Sequence, residues 1–83
     1  MKLAVRYFAA VREALGSGED VEITTSTTIA GLRDALVARG GRHAEALGRQ
    51  RVLRSARNRV LCAEGTLLAD GDEVGFFPPL TGG

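Results

Sequence analysis

One strong amphipathic helix constrains what this chain can fold into. Residues 29–39 carry apolar side chains at helical spacing and charged side chains on the remaining surface. Its apolar positions are Ile29, Leu32 and Leu36. The hydroxyl of Thr28 can cap the helix, and Gly40-Gly41 ends it. A single helix buries such a face most economically against one sheet, so the sequence predicts a two-layer α+β domain.

The segments before the helix supply part of that sheet. Residues 2–8 alternate between apolar and polar side chains with a period of two, and residues 20–25 do the same. We expect two strands, paired antiparallel. Between them, residues 9–15 contain good helix formers and are followed by Gly16 and Gly18, which indicates a short helical turn.

The segments after the helix supply the remaining strands. Residues 42–49 indicate another helical turn, and residues 51–64 indicate two short strands joined near Asn58, a turn residue. A strong turn signal at residues 70–72 precedes the last strand, residues 73–77. We therefore expect a β-grasp, or ubiquitin-like, fold: a mixed sheet of about five strands with one main helix packed across it. Its first and last strands would lie parallel at the sheet centre.

Residues 1–77 would form this domain, and residues 78–83 would leave it as an extended tail. Pro78 and Pro79 have a fixed φ and no N–H for a sheet ladder, so the tail should leave as a semi-stiff arm. Gly82 and Gly83 have no side chains and could pass through a channel that admits only backbone. The carboxyl group delivered at Gly83 is unreactive until it is activated, for example as an acyl-adenylate. Such a tail indicates presentation to another enzyme's active site, and the alternative is a frayed terminus.

The sequence of the domain does not indicate a catalytic site of its own. The sequence has no paired-carboxylate motif, no nucleophile with an evident base and no glycine-rich phosphate loop. Cys62 is interpreted as a small buried strand residue and His43 as a surface side chain, and together they do not make a conventional zinc site. We expect no cofactor bound by the chain itself.

Charge and hydropathy favour a cytoplasmic protein that binds other proteins. The net charge of +1 does not indicate a nucleic-acid or membrane binder. The sequence contains no apolar run of about 20 residues, no signal-peptide pattern and only one cysteine. The arginines between residues 49 and 59 are interpreted as a solvated strand face or a contact for a protein partner, because no aromatic residues interleave them.

The last strand also predicts a docking patch. Alternation directs Val74 and Phe76 toward the core and Phe77 outward. An exposed aromatic beside a reactive tail suggests a surface for another protein, which Leu61 could join if its strand is a neighbour. The alternative is that Phe77 folds under its own tail.

Over essentially its whole length, the chain resembles the ubiquitin-like sulfur carriers that form the small subunit of molybdopterin synthase. The specific motifs come at the end of the chain, and weaker ones lie near its start and at Thr28. The matching segments are Tyr7-Phe8-Ala9, Val11-Arg12-Glu13, Asp70-Gly71-Asp72-Glu73-Val74, Phe76-Phe77-Pro78-Pro79 and Gly82-Gly83. Gly-Gly alone is shared by ubiquitin-like modifiers and thiamine-pathway carriers, whereas the Phe-Phe-Pro-Pro segment points to the molybdenum-cofactor branch.

The resemblance implies a mechanism that depends on partners. A ubiquitin-activating-type adenylyltransferase would use ATP to adenylate the Gly83 carboxylate, and a sulfur relay protein would then allow its conversion to a thiocarboxylate. Inside the large subunit of molybdopterin synthase, the thiocarboxylate would donate sulfur to cyclic pyranopterin monophosphate. Gly82 would share the reactive end with Gly83. The residues implied to contact partners are Leu61, Phe77, Pro78, Pro79, Leu80 and Thr81.

A strand that departs from the family and three alternative functions remain open at this point. Family members usually carry an apolar strand before Asn58, and here Arg54 and Arg57 interrupt it. Arg57 stands where the family usually has an apolar residue, so it would either reach solvent along its stem or pair with an acid such as Glu64. The chain could instead serve thiamine or another thiolation pathway, or act as a ubiquitin-like modifier. A plain β-grasp binding domain, using its arginine face on an acidic partner, is the remaining alternative.

Overall fold

The computed structural model describes residues 1–79, which contain five strands and three helices. The strands are β1 (Lys2–Tyr7), β2 (Gly18–Glu22), β3 (Arg54–Arg57), β4 (Val60–Cys62) and β5 (Glu73–Phe77). The helices are α1 (Ala9–Leu15), α2 (Ile29–Val37) and α3 (Gly41–Leu47). None of the helices in this part of the chain has the length and apolar character needed to cross a membrane.

The five strands form one mixed sheet in the order β2-β1-β5-β3-β4. Strands β1 and β5 run parallel at its centre, with Ala4 opposite Glu73 and Tyr7 opposite Phe76. The other three strand pairs are antiparallel. The predicted β-grasp fold is confirmed, including the parallel central pair.

The core forms between one face of this sheet and the helices. Helix α2 is capped as predicted, since the Gly31 amide donates to Thr28 Oγ1 over 3.1 Å. Alternation in β1 and β5 and helical spacing in α2 converge on the same buried cluster. Its members include Leu3, Val5, Tyr7, Ile29, Leu32, Leu36, Val74 and Phe76. The opposite face of β5 does not contact the core, and it lies beside the residues where the tail begins.

Strand β2 and helix α2 have bounds that differ from the predicted ones. Strand β2 begins at Gly18 and ends at Glu22, earlier than the predicted 20–25. Gly18 pairs with Arg6 so closely that a Cβ there would lie 2.3 Å from the Val5 carbonyl oxygen, which only glycine allows. Helix α2 ends at Val37 rather than at residue 39, before the glycines that were expected to stop it.

Arg33 in α2 is buried, although the helical pattern placed it with the charged residues outside the apolar face. It is only 3% exposed. Its guanidinium donates to three carbonyl oxygens, at Leu47 (2.6 Å), Gly48 (2.9 Å) and Arg51 (2.8 Å). It also donates to Glu64 Oε2 over 2.6 Å. Arg33 thus joins α2 to the end of α3 and to the loop after β4, with every guanidinium nitrogen paired.

The same contacts decide the question of Arg57. Glu64 pairs with Arg33 and Arg49, so the predicted alternative of an Arg57–Glu64 pair is wrong. Arg57 is exposed, and its Nη1 donates to the Leu67 carbonyl oxygen over 3.0 Å. The guanidinium reaches the surface along its stem, which removes the desolvation cost of a buried charge.

Glu19 is the centre of a second polar cluster, which fastens α3 to the sheet. Its carboxylate accepts hydrogen bonds from Tyr7 Oη (2.7 Å) and from Arg39, and lies 2.9 Å from His43 Nε2. His43 was predicted as a surface side chain, and the structure shows it half-buried and bonded to Glu19. Burial and the bond to Glu19 raise the pKa of Tyr7. Burial acts to raise the pKa of Glu19. The bonds from His43, Arg39 and Tyr7 outweigh burial and lower this pKa from its ordinary value of 4.5 to about 2.

This cluster predicts a specific loss of stability in acid. A carboxyl whose pKa is depressed by folding stabilises the fold above its unfolded pKa, and loses that contribution as the pH falls toward its folded pKa. Between about pH 5 and pH 2, we expect the free energy of unfolding of the wild type to fall by about 1–2 kcal/mol more than that of Glu19→Gln. This range allows for screening of the charges by water, which reaches the cluster. Urea unfolding of both proteins across this range measures the difference. Equal pH slopes would contradict the assignment.

Candidate docking site at the start of the tail

The tail begins from a strand that is fixed on both sides. Strand β5 pairs in parallel with β1 and antiparallel with β3. The Phe8 amide adds a hydrogen bond of 3.2 Å to the Phe76 carbonyl oxygen. Pro78 and Pro79 follow outside the strand, as predicted. The candidate residues Leu80, Thr81, Gly82 and Gly83 lie outside the described residues.

The open face of the sheet forms an apolar groove beside the first residues of the tail. Its cavity has a volume of about 460 Å³. We call it the docking face, and define it by Phe8, Leu61, Gly75, Phe77, Pro78 and Pro79. The structure therefore brings together the four described candidate residues, and leaves Leu61 65% exposed and Phe77 half-buried. The side chain of Phe77 contributes to this groove with its neighbours, on the outer side that alternation predicted.

Phe8 is the member of the docking face that sequence reasoning missed. Its ring packs edge-to-face on Phe77, with ring centroids 6.2 Å apart, and remains 47% exposed. Alternation in β1 did place Phe8 on the face shared with Lys2 and Arg6, where an aromatic side chain is out of place. An aromatic residue on this polar face could have indicated that Phe8 belongs to a docking surface.

Two backbone features hold Phe8 in this position. Ala9 has a φ of 52°, a left-handed conformation that turns the chain from β1 directly into α1. Gly75 lies beneath the Phe8 ring, where an added Cβ would be 3.2 Å from Phe8 Cε2. The ring can lie close to the sheet because Gly75 has no side chain, so the apolar surface continues from Phe8 to Phe77.

Arginines border the docking face. Glu73 lies between two of them, 3.6 Å from Arg6 Nε and 3.3 Å from Arg59 Nε. Arg54 is exposed and lies opposite Phe77 in the β3–β5 register. The predicted arginine cluster is not one continuous basic patch, because Arg49 and Arg51 are engaged elsewhere, with acids and with the Glu45 carbonyl oxygen respectively.

A tight turn positions β4, and therefore Leu61. Asn58 and Arg59 both have positive φ, of 49° and 69°, as a two-residue hairpin requires. The Asn58 amide group bonds Asp72 Oδ1 (3.0 Å) and the Glu73 backbone N–H (2.9 Å). The Ala69 amide, together with Asn58, lowers the pKa of Asp72. These bonds fix the hairpin to the beginning of β5. The sequence predicted a turn near Asn58 but not its connection to β5.

Neither the cysteine nor the acidic residues suggest a metal centre in the described chain. Within residues 1–79, no three His, Cys, Asp or Glu side chains are grouped closely enough to hold a metal ion. Cys62 lies in a strand as predicted, but it is half-buried against the core rather than fully buried.

Comparison with known proteins decides the family. The model of the ThiS family matches residues 5–83. The chain belongs to the ThiS family. The molybdopterin synthase sulfur carrier subunit of Escherichia coli is 40% identical to it over 81 residues, which cover 98% of this chain and 99% of that protein.

Two solved structures that are similar to this chain carry different names. Subunit 1 in the protein–protein complex of subunits 1 and 2 of the Helicobacter pylori molybdopterin-converting factor has a TM-score of 0.69 and 28% identity, with full coverage of both chains. The H. volcanii small archaeal modifier protein 1 has a TM-score of 0.75 and 27% identity, over 95% of this chain and 98% of that one. Proteins with this fold therefore include a subunit of a two-subunit factor and a protein named as a modifier.

Proposed function

We propose that this ThiS family member is the sulfur carrier subunit of a molybdopterin synthase. The observation that carries the proposal is the arrangement at the end of β5. A strand paired on both sides leads through Pro78 and Pro79 into a Gly82-Gly83 sequence, directly beside an exposed apolar face. The name of the E. coli relative, which matches along nearly its whole length, supports the same function.

In this function the reactive atom is the carboxyl carbon of Gly83. An adenylyltransferase joins the carboxylate to AMP with release of pyrophosphate, which turns an unreactive group into an electrophile. A sulfur relay protein then supplies the sulfur that replaces AMP, leaving a thiocarboxylate. The thiocarboxylate attacks cyclic pyranopterin monophosphate in the large subunit. The chain itself needs no bound cofactor for these steps, because ATP is used by the activating partner.

The docking face explains how the tail would be delivered. Phe8, Leu61 and Phe77 offer apolar surface to a partner at the point where the tail begins. A partner bound there receives the tail in a fixed direction, since β5 cannot pivot between its two neighbours. The large synthase subunit is the partner that the H. pylori complex supports. Cytoplasm is the compartment that we propose, where such partners and ATP are found together.

A ubiquitin-like modifier is the second candidate, favoured by the similarity to the H. volcanii small archaeal modifier protein 1. The two functions share the adenylated Gly83 and differ in the nucleophile that follows. A sulfur carrier ends as a thiocarboxylate, whereas a modifier ends as an amide on a lysine of another protein. Recovery of high-mass covalent conjugates that a protease removes would favour the modifier.

Intact mass spectrometry tests the proposed function. The chain is incubated with ATP, an adenylyltransferase and a sulfur donor. We expect a mass change that corresponds to one oxygen replaced by sulfur, located in the peptide that contains Gly83. The chain that lacks Gly82 and Gly83 is the control and should show no change. If the full-length chain remains unchanged while a known carrier is converted by the same enzymes, the proposal fails.

A further inference from the structure

The basic residues of this chain are unusual, because ten are arginine and one is lysine, counted directly along the sequence. Lysine is ordinarily among the commonest residues of globular proteins. The single lysine is Lys2, an exposed residue at the start of β1.

Arginine surrounds the place where the tail begins. Pro78 and Pro79 line three cavities, and each of these cavities also contains arginine side chains. The arginines are Arg6, Arg42, Arg51, Arg54 and Arg59. Two of them, Arg6 and Arg59, provide a positive charge to Glu73. At these two positions a lysine could provide the same charge to Glu73.

The two amines in the described residues are the Lys2 side chain and the Met1 amino group, and both lie at the end of the sheet away from the tail. Tyr7 is level with Phe76, near the beginning of the tail, and Lys2 is five residues before Tyr7 in β1. At about 3.3 Å per residue, Lys2 and Pro79 are separated by roughly 25 Å. The Met1 amino group is at the same end as Lys2 and donates to the Ile23 carbonyl oxygen over 2.8 Å. The four residues after Pro79 span at most about 14 Å, so Gly83 cannot reach either amine.

We propose that arginine in place of lysine around the beginning of the tail protects the activated Gly83 from attack by its own chain. The inference rests on the proposed function, because it requires an acyl-adenylate at Gly83. A lysine amine within reach would form a C–N bond to the carboxyl carbon, break the bond to AMP and lose one proton. The product would be a cyclised chain, lighter by one water, that can no longer accept sulfur.

Arginine avoids this reaction while it keeps the charge. The pKa of an arginine guanidinium lies well above that of a lysine amine, so lysine offers about a hundredfold more of the neutral, nucleophilic form. A group within reach of a short tethered tail also meets it at an effective concentration of the order of millimolar. Arg6 and Arg54 thus act as specificity-determining residues, because they leave the external sulfur donor as the nucleophile.

Charge-conserving substitutions test the proposal. Arg54→Lys and Arg6→Lys place an amine within reach of the tail, because Arg54 is opposite Phe77 and Arg6 is opposite Gly75 in the sheet. Thr24→Lys instead adds an amine at an exposed site beyond β2, near Lys2. Each protein is incubated with ATP and the adenylyltransferase, without a sulfur donor. We expect Arg54→Lys and Arg6→Lys to accumulate about tenfold more of the chain lighter by one water than wild type. A peptide that joins Gly83 to the new lysine should appear, and Thr24→Lys should match wild type.

The outcomes separate this inference from the proposed function. If both arginine variants are converted to the thiocarboxylate normally when sulfur is present, and neither cyclises without it, the protective role is wrong. A wild-type chain that is never adenylated instead contradicts the proposed function. If a variant fails in ATP–pyrophosphate exchange, the same full-length variant is prepared with Gly83 as a thioester. The same excess of cyclised product over Thr24→Lys is then required, and its absence would overturn the inference.

Discussion

Replacing Arg33 by methionine is expected to lower the free energy of unfolding by about 3–5 kcal/mol. Methionine fills much of the same volume but donates no hydrogen bonds. The carbonyl oxygens of Leu47, Gly48 and Arg51 would lose the donor that Arg33 provides to each of them inside the protein. A domain of this size has a total stability of about 4–12 kcal/mol, so the loss would be a large share of it.

Arg49→Met is the matched control for this prediction. Arg49 also binds Glu64, but its side chain is 51% exposed. Exposed ion pairs contribute about 0–1 kcal/mol, so the control should lose no more than that. Urea unfolding of wild type and both variants provides the comparison. Equal effects of the two substitutions would mean that the buried carbonyl oxygens find other partners, and that Arg33 does not hold this loop.

Replacing Phe77 by aspartate is expected to weaken binding to the large synthase subunit by at least about 100-fold. The aspartate would place a charge in the docking face, beside Phe8 and Leu61, where a partner has to remove it from water. The fold should persist, because Phe77 is on the outer side of β5 and the buried aromatic residue is its neighbour Phe76. Titration calorimetry with the large subunit measures the affinity, and circular dichroism verifies folding.

Leu67→Asp provides the control for surface charge. Leu67 is 66% exposed, as Leu61 is, but it lies outside the docking face. We expect Leu61→Asp to weaken binding strongly and Leu67→Asp to leave it within about threefold of wild type. Should all three variants bind equally well, the partner uses a different surface and the interpretation of the docking face is wrong.

The parts of the fold that follow from local pattern were predictable. Strand β5 was predicted with its observed bounds, because alternation, the turn at residues 70–72 and the two prolines all limit the same segment. Helix α1 was likewise predicted within its observed bounds. The pairing of β1 with β5 came from recognising the fold class, since no local feature of either strand specifies its parallel neighbour.

The features that the sequence did not reveal depend on contacts between distant segments. Arg33 looked like a surface residue because helical periodicity cannot show that carbonyl oxygens 14 to 18 residues away will meet it. The bond between Glu19 and His43 depends in the same way on how α3 lies against β2. Phe8 was missed because its position requires the left-handed Ala9 and the bare backbone of Gly75, and neither residue signals this alone.

The central position of β5 also determines how the protein bears load. A partner that draws the tail inward pulls along β5, so the force acts in shear on two hydrogen-bonded ladders at once, with β1 on one side and β3 on the other. Ladder bonds under shear must break together, whereas those at a peeled edge strand break one after another. A pull on the end of β5 would therefore load both ladders together, so the domain should resist this force better than it would if its last strand lay at an edge of the sheet.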